Sequence, residues 1–287
     1  MAQPTAKSPL KNNNRQYHIN CRRGDLASYI LMPGDPGRVP IIAQNWEQKK
    51  EIAFSREYRS FSGRFKGVGI SCLSVGIGAP SAAIAIEESA RLGVKTFIRV
   101  GSTGALDPKI NIGDLIINTG AVRLEGTSKI YIKSEYPALA DHEVVLALIE
   151  ACEKLSARGG SAFGKKIKYY VGLTASTDGF YVGEGRPGFN GYNQSDLENI
   201  LPDLQKAKVI NMEMETSVLF TLASLYGLRA GAICAVFDNL ITDKWKIKGE
   251  KEAGLVASEA VVILNQWDKV KKAKKKKYFY PSLITLV

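Results

Sequence analysis

The sequence predicts an α/β fold of three layers, in which a central mixed β-sheet is flanked by helices. Short apolar stretches alternate along the chain with amphipathic stretches at helical spacing, an order typical of sheets covered on both faces. The chain has 287 residues, 45% of them hydrophobic, which is enough for one large core. We therefore expect a single domain over residues 1–287, with a basic N-terminal arm (about 1–16) and a lysine-rich C-terminal tail (about 268–287).

The predicted strands are short apolar runs that end in turn-forming residues. They cover residues 28–31, 68–75, 96–100, 114–118, 168–173, 209–212 and 230–237. One predicted helix starts near residue 39, and the others cover residues 82–92, 143–155, 215–226 and 250–267. A long polar loop spans residues 176–195. Glycine-rich turns follow three of the strands, and we expect them to meet at one edge of the sheet, where folds of this class bind ligands.

The net charge of +11 is concentrated at the two ends of the chain. Seven lysines lie between residues 269 and 277, and five basic residues precede Asp25, so the remaining body is close to neutral. We interpret the ends as solvated tails and expect no specific nucleic-acid partner. The alternative, a nucleic-acid-binding protein that uses the lysine tail, would show a salt-sensitive RNA affinity.

Other features of the composition exclude several classes of protein. No apolar run approaches the length of a membrane helix, and the polar N-terminus lacks the apolar region of a secretory signal, so we expect a cytoplasmic protein without a membrane partner. The four cysteines are far apart and read as reduced thiols: Cys21, Cys72, Cys152 and Cys234. With only two histidines, a histidine-based zinc site is not expected.

Two strand ends combine arginine with glycine. The first leads into a glycine-proline turn over residues 34–38, where free backbone N–H groups and Arg38 suit an anion, although an ordinary strand-to-helix turn fits equally well. The second carries Arg99 near the end of an apolar strand, where a buried guanidinium needs an anionic partner, and Ser102 adds a hydroxyl. Together they predict a phosphate site, and it is not a Walker loop because no GxxxxGK[ST] occurs.

Three further sets of residues each fit two interpretations, one structural and one functional. Glu213 and Glu215 lie where a strand meets a helix, and they suit either the hydroxyls of a sugar or the N-terminus of the helix. Phe180 in the polar loop stacks on a base or packs on its own loop. Asp238 ends an apolar strand as either a helix cap or a site residue.

Five segments occur together in the order found in one family of enzymes: MPGDPGR over 32–38, SREY over 55–58, GIGAPS over 76–81, IRVGSTGA over 98–105 and NMEME over 211–215. From about residue 17 to residue 267 the chain resembles the hexameric nucleoside phosphorylases, which include uridine phosphorylases and bacterial-type purine nucleoside phosphorylases. The resemblance implies the nucleoside phosphorylase fold and cleavage of a nucleoside by inorganic phosphate, without another cofactor. A hydrolase of the same fold is the rival, but a water nucleophile needs no arginine cluster.

The resemblance also implies roles for matched residues. Phosphate would be held by Gly34, Arg38, Arg99 and Ser102, and by Arg56 of a neighbouring subunit. Ribose would be held by Met214 and Glu215, with His18 reaching across the dimer interface. The base would lie against Thr103, Phe180 and Glu213. The expected assembly is a hexamer built as a trimer of dimers with shared sites, and some members bind a monovalent cation such as potassium at positions that match Glu57, Ile77 and Ser81.

Two sets of observations point to different bases. Phe180 and Asn211 are 31 residues apart, a long excursion like that of uridine phosphorylases, and Arg186 matches an arginine that reads uracil there. Glu184, however, replaces a glutamine, and an ionised Glu184 would lose a donor; its protonation or its pairing with Arg186 would restore uracil binding. Asp238 matches the acid that protonates purines in related enzymes. We expect Arg99 and Asp238 to act in catalysis on uridine; the alternative is a purine nucleoside, either inosine, guanosine, adenosine or methylthioadenosine, or dual specificity.

Overall fold

The computed structural model of the protein describes residues 4–157 and 166–285. The strands are β1 (Leu10–Lys11), β2 (Arg15–Gln16), β3 (Tyr29–Met32), β4 (Glu47–Ser55), β5 (Tyr58–Phe65), β6 (Val68–Leu73), β7 (Thr96–Ala105), β8 (Leu115–Arg123), β9 (Ala138–Leu139), β10 (Tyr169–Ser176), β11 (Val209–Glu213), β12 (Arg229–Asn239) and β13 (Lys244–Trp245). The helices are α1 (Arg38–Ile42), α2 (Ala79–Arg91), α3 (Thr127–Tyr131), α4 (His142–Ala157), α5 (Ile200–Lys206), α6 (Thr216–Leu225), α7 (Glu250–Ala273) and α8 (Ser282–Thr285).

Within the described residues, β3 to β13 form one mixed sheet of eleven strands. Five of its strands close on themselves, because β7 pairs with β12, β12 with β8, β8 with β10, β10 with β11, and β11 returns to β7. Four further strands extend from β7 through β3, β6 and β5 to β4 at the open edge, while β9 pairs with β8 and β13 with β12. The antiparallel pair β4–β5 was not predicted from the sequence, and the predicted turn after Val100 is instead the second half of β7.

The helices cover the sheet from two sides. On one side α1, α4 and α7 share a hydrophobic core with strand residues such as Leu31 and Ile98. On the other side α2 and α6 share a core with Ile30 and Phe97. Consecutive strand residues therefore face opposite layers, as the alternation of a β-strand requires. The expected α/β fold, with a mixed sheet between helices, is confirmed.

The lysine-rich C-terminal segment is more than a solvated tail. Helix α7 continues through the first lysines to Ala273, and the chain then returns so that Phe279 stacks on Trp267 with ring centroids 3.8 Å apart. The backbone N–H of Phe279 donates to Glu143, which also forms an ion pair with Lys271. No helix among the described residues is long and apolar enough to cross a membrane.

Candidate active site

A cavity of about 630 Å³ opens where β3, β6, β10, β11 and β12 end. The three glycine-rich segments meet there as expected, since Gly34, Gly76 and Gly104 all line it. Most of the predicted site residues line the same cavity: Gly34, Arg38, Glu57, Ile77, Ser81, Arg99, Ser102, Thr103, Phe180, Glu184, Arg186, Glu213, Met214, Glu215 and Asp238. Residues more than 200 positions apart in the chain thus form one site.

Arg99 lies at the floor of the cavity and is 5% exposed. Its Nε lies 2.8 Å from a carboxylate oxygen of Glu213, and its Nη2 pairs with Glu215. Burial lowers the pKa of Arg99, but the two carboxylates outweigh that effect and raise it, so the guanidinium stays charged. Among the described residues, Nη1 has no hydrogen-bond partner. A buried N–H donor that has no partner among these residues suits an anion that enters the cavity.

Arg38 is the second arginine of the cavity and is held at three points. Its Nη2 donates to the Ser102 hydroxyl at 3.2 Å, and its Nε lies 2.7 Å from Glu250 in the first turn of α7. Its guanidinium also lies over the ring of Phe237, 5.0 Å from the centroid. Arg38, Ser102 and Arg99 therefore form a wall rich in hydrogen-bond donors, and their partners hold them in place.

Glu213 and Glu215, the two acids at the junction of β11 and α6, make different contacts. Glu213 accepts hydrogen bonds from the Ser176 hydroxyl and from the backbone N–H groups of Glu215 and Thr216, in addition to its ion pair with Arg99. Four donors therefore contact this carboxylate, and the expected contact of Glu213 with the base stays a prediction. The helix-terminus interpretation was correct for Glu213.

Glu215 points into the cavity from the same junction. Its carboxylate pairs with Arg99 and accepts a hydrogen bond from the backbone N–H of Gly78 at 2.5 Å. Burial raises the pKa of Glu215, against the lowering effect of Arg99. Thr103 also lines the cavity, but its hydroxyl donates to the Met212 carbonyl and accepts from Asn211, so the expected contact of Thr103 with the base has no free hydroxyl donor.

Arg186 links the residues predicted to read the base. Its Nη2 donates to Asp238 at 2.6 Å, its Nη1 donates to Glu184, and its guanidinium lies over the Phe180 ring, 4.1 Å from the centroid. Glu184 is 2% exposed. Burial raises the pKa of Glu184 to about 7, with Arg186 opposing that shift. Asp238 is therefore neither a helix cap nor a free acid, because Arg186 binds it.

Two predicted residues lie outside the cavity of this chain. His18 pairs through Nδ1 with Glu88 at 2.7 Å, and Arg56 lies over the ring of Tyr17, 5.7 Å from the centroid. The residues matched to a cation site are close together: the Ser81 hydroxyl donates to Glu57 at 2.9 Å, and Ile77 beside them is 79% exposed.

The structure adds residues that the sequence did not point to. Trp245 lines the cavity while 71% exposed, because β13 pairs with the end of β12 and places it opposite Asp238. Glu250 orients Arg38 from a distant helix. Neither carries a local sequence signal, since each depends on a contact made only in the folded chain.

Gly101 sets the position of Arg99 and yields a first test. A Cβ at residue 101 would lie 2.9 Å from Cζ of Arg99 and 2.9 Å from Sγ of Cys234. Because the guanidinium is buried and ion-paired, Gly101→Ala is expected to displace it and to cost about 1–3 kcal/mol of unfolding free energy. Denaturant unfolding measures the loss of stability, and binding of inorganic phosphate to the folded protein measures the displacement of Arg99. Gly69→Ala, whose Cβ would meet nothing closer than 3.9 Å, is the control, and equal behaviour of the two variants would contradict the prediction.

Comparison with known proteins agrees with the geometry. The phosphorylase superfamily model matches residues 28–264. The chain is 56% identical over 279 residues, 97% of both chains, to a uridine phosphorylase from Thermococcus kodakarensis. It is 40% identical over 226 residues to a uridine phosphorylase from Haemophilus influenzae, covering 78% of this chain and 86% of that one. It is 38% identical over 232 residues to a guanosine phosphorylase from Halorubrum lacusprofundi, covering 81% and 87%. The resemblance found in the sequence is confirmed: the chain belongs to the phosphorylase superfamily.

Proposed function

We propose that this protein is a pentosyltransferase that catalyses phosphorolysis of uridine, giving uracil and ribose 1-phosphate. The observation that carries the proposal is the cavity itself, which joins a donor-rich wall of Arg38, Arg99 and Ser102 to a part lined by Phe180, Glu184 and Arg186. The relative that is 56% identical over nearly the whole chain is named a uridine phosphorylase, which supports the same reaction.

Inorganic phosphate is the co-substrate, and the wall of Arg38, Arg99 and Ser102 is where it binds. Within residues 4–157 and 166–285 no group pairs with Nη1 of Arg99, which leaves it as a donor beside Arg38 and Ser102. Cleavage of the glycosidic bond builds positive charge on the ribose, so phosphate held on one ring face both stabilises that charge and attacks C1′. Gly34 lines the same place and lets the backbone come close to it, whereas the backbone N–H of Gly76 is donated to the Gly34 carbonyl at 3.0 Å.

Ribose lies between the phosphate wall and the base region. Met214 packs on the sugar, and the Glu215 carboxylate accepts hydrogen bonds from its 2′ and 3′ hydroxyls. Arg99 and Gly78 already fix Glu215, so the carboxylate is oriented before the substrate enters. Glu213 acts through other residues, as a positioning residue, because it holds both Arg99 and the start of α6.

The base is uracil, read by Arg186 and Glu184 and covered by Phe180. Arg186 offers N–H donors, which suit the carbonyl oxygens of a pyrimidine. A purine is the second candidate, favoured by the relative named guanosine phosphorylase and by the acid at residue 238. The pairing of Asp238 with Arg186 weighs against it, since this ion pair already engages the carboxyl group that would have to meet the purine.

The assembly we propose is a hexamer, a trimer of dimers, in which Arg56 and His18 of one subunit complete the site of its neighbour. Both lie outside the cavity of their own chain, and this supports the sharing. A potassium ion would bind near Glu57, Ile77 and Ser81, close to the same interface. The enzyme would act in the cytoplasm in nucleoside salvage.

A substrate panel tests the proposed function. Uridine, thymidine, inosine, guanosine, adenosine and methylthioadenosine are incubated with and without phosphate, and free base and ribose 1-phosphate are measured. We expect kcat/KM for uridine to exceed that for inosine at least about tenfold, which is the scale of discrimination that unpaired polar groups in a base pocket readily supply. Release of uracil at full rate without phosphate would instead show a hydrolase, and faster turnover of inosine would assign the enzyme to purines.

A further inference from the structure

Three ionisable side chains meet in the part of the cavity that faces the base. Arg186 lies between Glu184 and Asp238 and donates to both carboxyl groups. One guanidinium group therefore donates hydrogen bonds to two carboxyl groups. The two acids differ in burial, because the Glu184 side chain is 3% exposed and the Asp238 side chain is 16% exposed.

One positive charge neutralises one carboxylate, and a second ionised carboxylate so close to it carries a large desolvation cost. The more buried of the two acids is the one that gains more by keeping its proton. We propose that Glu184 works as a neutral carboxylic acid that donates a hydrogen bond to a carbonyl oxygen of the pyrimidine, and that Asp238 is the positioning residue that holds Arg186. This inference rests on the proposed function.

The surroundings of Glu184 agree with a bound proton. Glu184 lies in the short 3-10 turn Val182–Glu184, and charged groups face it from three elements: Arg186 on its own loop, Asp238 at the end of β12 and Glu213 at the end of β11. Leu201 of α5 packs against the adjacent Gly185 and adds no charge. Burial raises the pKa of Glu184 to about 7; Arg186 lowers it, and Asp238 and Glu213 raise it further.

The proton changes what Glu184 offers to the departing base. A neutral carboxyl has one O–H donor, whereas an ionised carboxylate only accepts. As the glycosidic bond breaks, negative charge spreads onto the carbonyl oxygens of uracil, so a hydrogen bond donated to one of them strengthens toward the transition state. An ionised Glu184 would instead repel that charge. Below about pH 7 the neutral form predominates, and it is lost as the pH rises.

The pH dependence of uridine cleavage tests the proton on Glu184. The kcat/KM for uridine is measured at saturating phosphate from about pH 6 to pH 9 for the wild type and for Glu184→Gln, whose amide donates at every pH. The ratio of the two removes the titration of phosphate itself. We expect the wild-type value to fall relative to the variant at least about tenfold between pH 7 and pH 9. A constant ratio would overturn the proposal.

Asp238→Asn tests the second half of the proposal. It removes the competing carboxylate, so Arg186 serves Glu184 alone and stabilises its ionised form. The midpoint of the pH profile is then expected to move to lower pH, and a midpoint that stays in place or rises contradicts the role of Asp238. Glu198→Gln, an exposed glutamate in the same excursion, is the matched control and keeps the wild-type midpoint.

A direct readout separates this inference from the proposed function. Infrared difference spectra of the wild type at about pH 6 should contain a carboxylic-acid band that Glu184→Gln lacks and that disappears by about pH 9. The band without any cleavage of uridine would refute the proposed function and the uracil contact but keep the proton on Glu184. Uridine cleavage without the band would refute the proton on Glu184 alone.

Discussion

Replacing Arg99 by methionine is expected to lower kcat/KM for phosphorolysis by about a thousandfold. The guanidinium is the most buried cation that faces the proposed phosphate position, and loss of one such preorganised donor costs on the order of 10²–10³ in rate. The same change leaves the carboxylates of Glu213 and Glu215 buried without their cation. Breaking a buried pair in this way costs about 3–5 kcal/mol of unfolding free energy. Steady-state kinetics and denaturant unfolding measure the two losses separately.

Two controls make the Arg99 prediction specific. Arg99→Lys keeps the charge but cannot reach both carboxylates and the phosphate at once, so it should recover much of the stability and little of the activity. Arg91→Met changes a half-exposed arginine that pairs with Glu87 on α2, and it should leave kcat/KM within about twofold. Full activity in Arg99→Met would remove this residue from the phosphate site.

Replacing Arg186 by alanine is expected to lower kcat/KM for uridine by about a hundredfold. The change removes the donors proposed to bind the uracil carbonyls and also removes the link between Glu184 and Asp238, so polar groups of the pocket lose their partners. Inosine turnover should fall less, since a purine makes no use of the lost pairing. The quantity to measure is the ratio of kcat/KM for uridine and inosine in wild type and variant.

The Arg186 prediction concerns the base and not the phosphate. The KM for phosphate should therefore stay within about twofold of the wild type, since Arg38 and Arg99 are unchanged. Arg64→Ala removes an exposed arginine near the end of β5 and serves as the matched control. Equal losses for uridine and inosine would show that Arg186 supports the fold of the loop instead of reading uracil.

Much of the fold was predictable because it depends on local patterns. Runs of apolar residues located most strands of the central sheet, and capping and turn residues located the helices between them. The pair β4–β5 was missed because β4 begins with five exposed, mostly charged residues and shows no apolar alternation. The second half of β7 was missed because its glycines resemble a turn, although each of them packs closely against another chain segment.

The residues that line the site were predictable from the sequence, but the contacts between their side chains were not. Arg38, Arg99 and Ser102 were found from strand ends and line one cavity. The partners of the charged groups were not found, because Arg186 and Asp238 are 52 residues apart and no periodicity links them. At the junction of β11 and α6, Glu213 contacts the start of the helix, as one interpretation of the sequence expected, and Glu215 lines the cavity, where its role as a site residue stays a prediction.

Strand β4 has a consequence for how the protein behaves in concentrated solution. An unpaired sheet edge offers backbone groups to which strands of other molecules can add, and this is a common start of aggregation. At β4 that edge begins with Glu47, Lys49, Lys50 and Glu51, and its register against β5 is interrupted twice by bulges. Charge and irregular spacing both discourage a second strand from docking. The chain thus carries its own protection against open-ended polymerisation at the β4 edge.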